Sequence, residues 1–169
     1  MSHVSKSFDF SDADAAYRDL ARDLSALLAG ERDTIANAAN TAALLYDALP
    51  GLNWVGFYLY KSGELVLGPF QGKPACVRIA IGKGVCGTAA ERRATVIVDD
   101  VHAFPGHIAC DSASNSEIVV PLLRGEELLG VLDLDSPNHA RFGPSDRQGL
   151  EAVARIFVDS LGGAGHQMS

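Results

Sequence analysis

No stretch of this 169-residue sequence is apolar over the roughly 18 residues that a membrane-spanning helix needs. The first ten residues, MSHVSKSFDF, contain neither the apolar core nor the small-residue cleavage site of a secretory signal. These absences predict a protein of the cytoplasm. Thiols stay reduced in that compartment, and a disulfide there is usually catalytic or redox-sensing.

Basic residues are also scarce, because 14 lysines and arginines stand against 21 acidic residues and leave a net charge of −7. No basic stripe interrupts this balance. Binding to nucleic acid requires cationic side chains that neutralise phosphates, so the composition disfavours a nucleic-acid partner. A small molecule is the favoured partner instead.

Internal repeats and low-complexity tracts are absent as well. Hydrophobic residues make up 47% of the chain and charged residues 21%, which is typical of a globular domain. A chain of this length can bury a core without disulfides or metal. We therefore predict one domain over residues 11–162, preceded by an extended arm over 1–10 and followed by a disordered tail over 163–169.

Hydrophobic periodicity predicts three long helices. The first begins at Ser11, and the second begins near Thr34 and carries an apolar stripe that includes Ile35. The last begins at Ser145, and Gln148, three residues on, predicts a capping box at its start.

The middle of the chain is rich in β-patterns. The stretch GKGVCGTAAERR predicts a glycine loop that opens a short helix. The polar segment 99–116 is longer than most connections in a compact domain, and such loops tend to be functional or disordered. The order of the elements predicts an α+β fold, a central antiparallel sheet with helices packed on it. The predicted strands are 53–60, 64–70, 75–81, 95–98, 117–123 and 128–135.

The sequence contains only three cysteines, Cys76, Cys86 and Cys110, and no CxxC or HxxxH spacing that would indicate zinc. A free cysteine is often a small buried hydrophobe. The alternating stretch ACVRIA favours burial for Cys76, whereas GVCGTAA leaves burial and reactivity evenly balanced for Cys86.

Cys110 differs from the other two cysteines because it lies in the polar stretch HIACDSASNSE, where burial explains it poorly. A reactive thiol is therefore favoured at this position. Ionisation of a thiol needs positive potential or hydrogen-bond donors nearby. His107 could supply either, or could only cap backbone groups of the loop.

Three acidic side chains form a second candidate constellation. Asp133 and Asp135 share one face of the strand GVLDLDS, a pattern that any half-exposed strand also has. Glu117 opens the preceding strand, and pairing of the two strands through the turn at Arg124 would bring the three carboxylates together near the end of the Cys110 loop. Crowded carboxylates raise each other's pKa, so one can stay protonated near neutral pH while the cluster binds an ammonium group.

The single tryptophan, Trp54, shares one face of the first predicted strand with Tyr58 and Tyr60, opposite Phe57. Core packing explains most of these aromatic residues. Trp54 could equally form the wall of a pocket for a small apolar group.

Taken together, these segments resemble the free methionine-(R)-sulfoxide reductase family, whose members are enzymes built on a GAF domain. The resemblance covers most of the chain. It implies a single GAF domain that reduces free methionine sulfoxide and is recycled by thioredoxin. The motifs that carry it are NWVGFYLY, LGPFQGKPACVRI, GKGVCGTAA, VDDVHAFPGHIACDSASNSEIVVPL and GVLDLDSP…RF.

The resemblance also implies roles for individual residues. Cys110 matches the family's nucleophile, Cys76 matches the cysteine that forms the recycling disulfide, and Cys86 matches a third, auxiliary cysteine. Trp54 matches the aromatic wall around the methyl group of the substrate. The acidic cluster that holds the sulfoxide and the amino group matches Glu117, Asp133 and Asp135.

The chemistry of the residues agrees with these roles. A thiolate attacks the sulfur of a protonated sulfoxide, and the resulting sulfenic acid condenses with a second thiol. This scheme needs no metal and no organic cofactor. Two alternatives remain: a GAF sensor for a cyclic nucleotide or another small effector, and a redox sensor without catalysis. A homodimer would suit the amphipathic N-terminal helices.

Overall fold

The helices begin and end at local sequence signals. Asp12 and Asp33 are the N-cap residues of the first two helices, and their carboxylates accept hydrogen bonds from the backbone N–H groups of Ala15 and Ala36. The computed structural model describes residues 7–106 and 113–162. Within these ranges the α-helices are α1 (Ala13–Leu28), α2 (Thr34–Ala48), α3 (Gly84–Arg92) and α4 (Pro144–Ser160).

The strands of the described residues form one antiparallel sheet. Going along the chain, they are β1 (Trp54–Lys61), β2 (Glu64–Gly72), β3 (Arg78–Ala80), β4 (Val96–Val98), β5 (Ser116–Arg124) and β6 (Glu127–Ser136). The order across the sheet is β3-β2-β1-β6-β5-β4, so β1 and β6 occupy its centre. The predicted α+β class, with a central antiparallel sheet and helices packed on it, is confirmed.

The two faces of the sheet have different neighbours. One face packs on α1, α2 and α4, and its buried side chains include Phe57, Leu132 and Leu134. The opposite face packs on α3 and carries Trp54 and Tyr58. The alternation of strand side chains therefore separates the main core from the face that holds the polar cluster.

The start of α4 differs from the prediction by one residue. Pro144 occupies the first helical position, where a missing N–H group costs nothing, so Gly143 becomes the N-cap. The third helical residue is then Asp146, whose Oδ2 accepts a hydrogen bond from the Gly143 N–H at 2.9 Å. The predicted capping contact of Gln148 is wrong for this reason.

The prediction that Ile35 belongs to the apolar stripe of α2 is also wrong, because its side chain is 45% exposed. The buried face of α2 is turned toward Asn37 and Thr41 instead. The Asn37 side-chain amide donates to the Glu31 carbonyl and to the Ser160 hydroxyl, which fixes the rotation of the helix. Alanines supply most of the apolar character of α2, so its periodicity is weak.

The leucines on the inner face of α1, among them Leu20 and Leu24, are buried within the chain itself. The homodimer expected from these helices stays a prediction. Residues 1–6 of the predicted arm and the whole predicted tail lie outside the described residues. Across residues 7–106 and 113–162, none of the helices is both long and apolar enough to cross a membrane.

Candidate active site

Strand pairing places the three predicted acids side by side. Asp135 of β6 is paired with Glu117 of β5 on one side and with Trp54 of β1 on the other. Asp133 lies two residues along β6 on the same face, opposite Val119. Side chains opposite one another in an antiparallel pair lie about 5 Å apart, so the predicted meeting of the three carboxylates is confirmed.

Burial makes the charged form of these acids costly. Glu117 is 7% exposed and Asp133 is 5% exposed. Burial raises the pKa of Glu117 well above its usual range, and the neighbouring Asp133 raises it further. Burial likewise raises the pKa of Asp133, with an additional contribution from the charge of Asp135. Within residues 7–106 and 113–162, no hydrogen bond reaches the buried Oδ1 atom of Asp133.

Cys86 is a free, buried thiol in the first turn of α3. Its Sγ lies 4.0 Å from Oε2 of Glu117. Burial raises the pKa of the Cys86 thiol well above its usual value, and the charges of Asp133 and Glu117 raise it further. Cys86 is therefore held as a neutral thiol, whereas a nucleophilic cysteine needs surroundings that favour the thiolate.

The same three residues could in principle surround a cation, because ligand atoms of Cys86, Glu117 and Asp133 lie within 4.8 Å of one another. Metal ligands must give up their protons. The raised pKa values of all three groups oppose that loss. The set is better suited to donating protons than to binding metal.

Trp54 forms an aromatic wall beside the acids. Its ring stacks on Phe70 at a centroid distance of 5.3 Å and on Tyr58 at 6.0 Å. A Cβ atom at Gly56 would lie 2.5 Å from the Trp54 ring, and one at Gly72 would lie 2.6 Å from it. These two glycines leave the space in which the indole lies flat against the strands.

The side chains of Trp54 and Tyr58 each form a hydrogen bond to the segment 73–77, which belongs to no helix or strand. The Trp54 indole N–H donates to the Lys73 carbonyl at 3.0 Å, and the Tyr58 hydroxyl donates to the Cys76 carbonyl at 2.9 Å. We call residues 73–77 the strap. Because aromatic donors bind its carbonyl groups, the strap does not continue the predicted strand 75–81, of which only Arg78–Ala80 forms.

Cys76 lies in this strap and is disulfide-bonded. It is half-buried rather than enclosed in the core. The alternating sequence predicted that Cys76 is buried, and the structure confirms this only in part. Cys110 and His107 lie outside the described residues. The described chain resumes at Ala113, and the next residue, Ser114, lines the pocket.

A pocket lies over the acids and under the strap. Sequence reasoning missed two of its cationic residues, Lys73 and Lys83, each of which follows a glycine in a motif that also contains a cysteine. It also left Tyr58 without a functional role, although the two-residue period of β1 puts Tyr58 on the face of Trp54. The lining residues are Trp54, Tyr58, Lys73, Pro74, Ala75, Ile79, Lys83, Gly84, Val85, Ser114, Glu117, Asp133 and Asp135.

Comparison with known proteins agrees with this architecture. The sequence model of the GAF domain matches residues 12–160, so the fold is that of a GAF domain. The free methionine-R-sulfoxide reductase of Escherichia coli is 58% identical over 83% of this chain and 86% of its own length. The enzyme of that name from Saccharomyces cerevisiae is 44% identical over 78% of this chain and 77% of its own length.

A solved structure is similar over nearly the whole chain. Free methionine-R-sulfoxide reductase from Neisseria meningitidis, in complex with its substrate, is 47% identical and superposes with a TM-score of 0.89. The match covers 95% of this chain and 96% of that one. This chain therefore belongs to the free methionine-R-sulfoxide reductase family of GAF-domain proteins, and it is an oxidoreductase.

The buried acids predict an unusual dependence of stability on pH. In the unfolded chain a glutamate titrates near pH 4.3, whereas folding raises the pKa of Glu117. Above that pH the folded state binds more protons than the unfolded state, so the free energy of unfolding falls as pH rises toward the folded pKa. We expect urea midpoints to fall between about pH 5 and about pH 8, with a shallower slope in Glu117→Gln.

The matched control for that measurement is Glu126→Gln, which makes the same change at an exposed turn position. The urea midpoint of Glu126→Gln should fall with pH as steeply as the midpoint of the unmodified protein. Equal slopes for all three proteins would mean that Glu117 ionises normally in the folded state.

Proposed function

We propose that this chain reduces free methionine-(R)-sulfoxide to methionine by thiol chemistry, with Cys110 as nucleophile and thioredoxin as reductant. The observation that carries the proposal is the cluster of buried Glu117 and Asp133 with half-buried Asp135, in a pocket whose strap carries Cys76. The cluster and the cysteines supply the two things that the reaction needs, a proton donor and a pair of thiols.

The acids make the sulfoxide reactive. A sulfoxide sulfur is a poor electrophile until its oxygen is protonated or accepts a strong hydrogen bond. A carboxyl group that stays protonated near neutral pH can donate that bond, and the raised pKa values of Glu117 and Asp133 support such a role. The buried Oδ1 of Asp133, which accepts no hydrogen bond from the described part of the chain, is suited to accept one from an ammonium group.

Another part of the pocket lining suits a carboxylate. Lys83, Gly84 and Val85 line it, and they form the N-terminal end of α3, which has no side-chain cap. The unpaired N–H groups and the dipole of a helix N-terminus favour an anion. A zwitterionic amino acid therefore meets complementary charge at both of its ends, which supports a free amino acid as the substrate.

The nucleophile is assigned from the motif HIACDS, and its place in the chain supports the assignment. Cys110 is four residues from Ser114, which lines the pocket. At about 3.5 Å per residue, that length of chain extends at most about 14 Å. The thiolate attacks the protonated sulfoxide, the S–O bond of the substrate breaks, and a new bond forms between that oxygen and the cysteine sulfur. The cysteine is thereby oxidised to a sulfenic acid, which keeps the oxygen and its proton, and the sulfoxide is reduced by two electrons and released as methionine.

The second step regenerates the enzyme. The Cys76 thiol attacks the sulfenic sulfur, an S–S bond forms, and the oxygen leaves as water with the proton of the thiol. A reduced thioredoxin then reduces the disulfide. Cys76 is already disulfide-bonded while Cys86 is a free thiol, which supports Cys76 as the resolving cysteine. Cys86 takes an auxiliary part, as a neutral thiol beside Glu117.

The two alternatives, a sensor for a cyclic nucleotide or another small effector and a redox sensor without catalysis, both predict no turnover of methionine sulfoxide. A coupled assay with thioredoxin, thioredoxin reductase and NADPH tests the proposal directly. Free methionine-(R)-sulfoxide should be turned over, and the (S) form should not. Binding without turnover of the (R) form would favour a sensor and overturn the proposed activity.

The resolving cysteine gives a further prediction. We expect Cys76→Ser to release about one methionine per protein and then stop, because the sulfenic acid no longer has its partner thiol. Steady-state turnover with thioredoxin should fall about 100-fold, while the first turnover changes far less. Rapid quenching with quantification of methionine separates the two phases.

Peptide mapping after one turnover without reductant completes this experiment. The unmodified protein should contain a Cys76–Cys110 disulfide. A disulfide between Cys86 and Cys110, or full steady-state activity in Cys76→Ser, would show that the resolving role belongs elsewhere.

A further inference from the structure

The strap has two roles, because it lines the pocket and also carries Cys76. Hydrogen bonds from Trp54 and Tyr58 bind it at its two ends. Lys73, Pro74 and Ala75 line the pocket, and Cys76 follows immediately. The strap lies outside the strand ladders except at its last residue, where the Leu67 N–H donates to the Val77 carbonyl at 2.8 Å. Its path over the pocket therefore depends on the side chains beneath it.

Tyr58 is the rigid member of this arrangement. It lies on β1 at the centre of the sheet, its side chain is 2% exposed, and its ring stacks on Trp54. The Tyr58 hydroxyl meets the carbonyl of Cys76 itself at 2.9 Å, so it fixes the backbone from which the thiol projects. Trp54 fixes the other end of the strap through Lys73.

Toward the Cys76 carbonyl the Tyr58 hydroxyl is the donor, because a carbonyl oxygen only accepts. Burial raises the pKa of Tyr58, and the nearby charge of Asp133 raises it further, so the proton stays on the oxygen. The acceptor is a backbone carbonyl, which has the same hydrogen-bonding capacity whether Cys76 is a thiol or part of a disulfide. The contact can therefore be present throughout the catalytic cycle.

We propose that Tyr58 is a positioning residue for Cys76: its hydrogen bond to the Cys76 carbonyl holds the resolving thiol where it captures the sulfenic acid. This inference rests on the proposed function, which makes Cys76 the resolving cysteine. The Tyr58 hydroxyl assists the second step of the reaction, in which a sulfenic acid and a thiol condense to a disulfide and water. That step follows the departure of methionine.

The test is a partition experiment with Tyr58→Phe, which removes the hydroxyl and keeps the ring. Reduced protein is mixed with saturating methionine-(R)-sulfoxide, without reductant, in the presence of a cyclic diketone that traps sulfenic acids. Intact mass gives the ratio of trapped adduct to disulfide. Because both products form after methionine has left, changes in substrate affinity cancel in this ratio.

We expect the ratio of adduct to disulfide to rise about tenfold in Tyr58→Phe, which corresponds to the loss of one hydrogen bond of about 1.4 kcal/mol. The control is Tyr46→Phe, the same change on α2 at a residue that is 39% exposed, and its ratio should equal that of the unmodified protein. An unchanged ratio in Tyr58→Phe would overturn the positioning role while leaving the proposed function intact.

A second variant keeps the test decisive should Tyr58→Phe fail to fold. Trp54→Phe removes the indole N–H that binds the Lys73 carbonyl. We expect the ratio of adduct to disulfide to rise in this variant as well, but by less than in Tyr58→Phe. An unchanged ratio in this variant would count against positioning of Cys76 by the strap. If the unmodified protein releases no methionine at all, or forms its disulfide without Cys76, the proposed function fails and this inference fails with it.

Discussion

Cys110→Ser should lower kcat for free methionine-(R)-sulfoxide by at least about 10⁴-fold, a loss typical of removing a nucleophile. A serine hydroxyl has a far higher pKa than a thiol and cannot form the sulfenic acid on which the second step depends. The pocket itself remains, because the acids, the strap and the N-terminal end of α3 lie on other elements. Substrate affinity should therefore change by less than about threefold.

Two measurements check that expectation. The coupled thioredoxin assay gives the rate, and titration calorimetry with the sulfoxide gives the affinity. Cys86→Ser is the matched comparison, since it makes the same change at the buried thiol beside Glu117. We expect Cys86→Ser to lower kcat about tenfold, because the serine hydroxyl is also a neutral donor but reaches less far than the cysteine thiol. Turnover in Cys110→Ser comparable to that of Cys86→Ser would refute the assignment of the nucleophile.

The acidic cluster is the part of the site that sequence reasoning predicted best. The short turn at Gly125 connects β5 and β6, so the two strands pair and their far ends meet, as predicted. The exact register was not predictable by counting from the turn, because a β-bulge at Leu122/Leu123 shifts it by one residue and puts Glu117 opposite Asp135 rather than Leu134. Once Glu117 faces Asp135, the two-residue period of the strands puts Asp133 on the same face.

The strap could not be predicted in the same way. Its path depends on hydrogen bonds from Trp54 and Tyr58, which are about 20 residues earlier in the chain. The alternation around Cys76 fits a strand equally well, because local sequence carries no information about a distant aromatic donor. The exposure of Ile35 has a similar origin, since contacts of Asn37 with Glu31 and Ser160 set the rotation of α2.

Substrates that lack the free ammonium group should be poor. We expect kcat/KM for N-acetyl-methionine-(R)-sulfoxide to be about 100- to 4,000-fold lower than for the free amino acid. Removing one partner of a buried ionic pair costs about 3–5 kcal/mol, and each 1.4 kcal/mol is a factor of ten. The buried partner here is the Oδ1 of Asp133, which accepts no hydrogen bond from any residue that the structure describes.

The decisive measurement compares both substrates on two proteins. If Asp133 binds the ammonium group, Asp133→Asn should mainly raise KM for the free amino acid and shrink the preference over the acetylated form to about tenfold. The exposed Glu126→Gln should keep the full preference. If instead Asp133 donates the proton, kcat should fall for both substrates and the preference should persist. Equal kcat/KM values for the two substrates on the unmodified protein would mean that the acids do not recognise the ammonium group, and the proposed free substrate would be wrong.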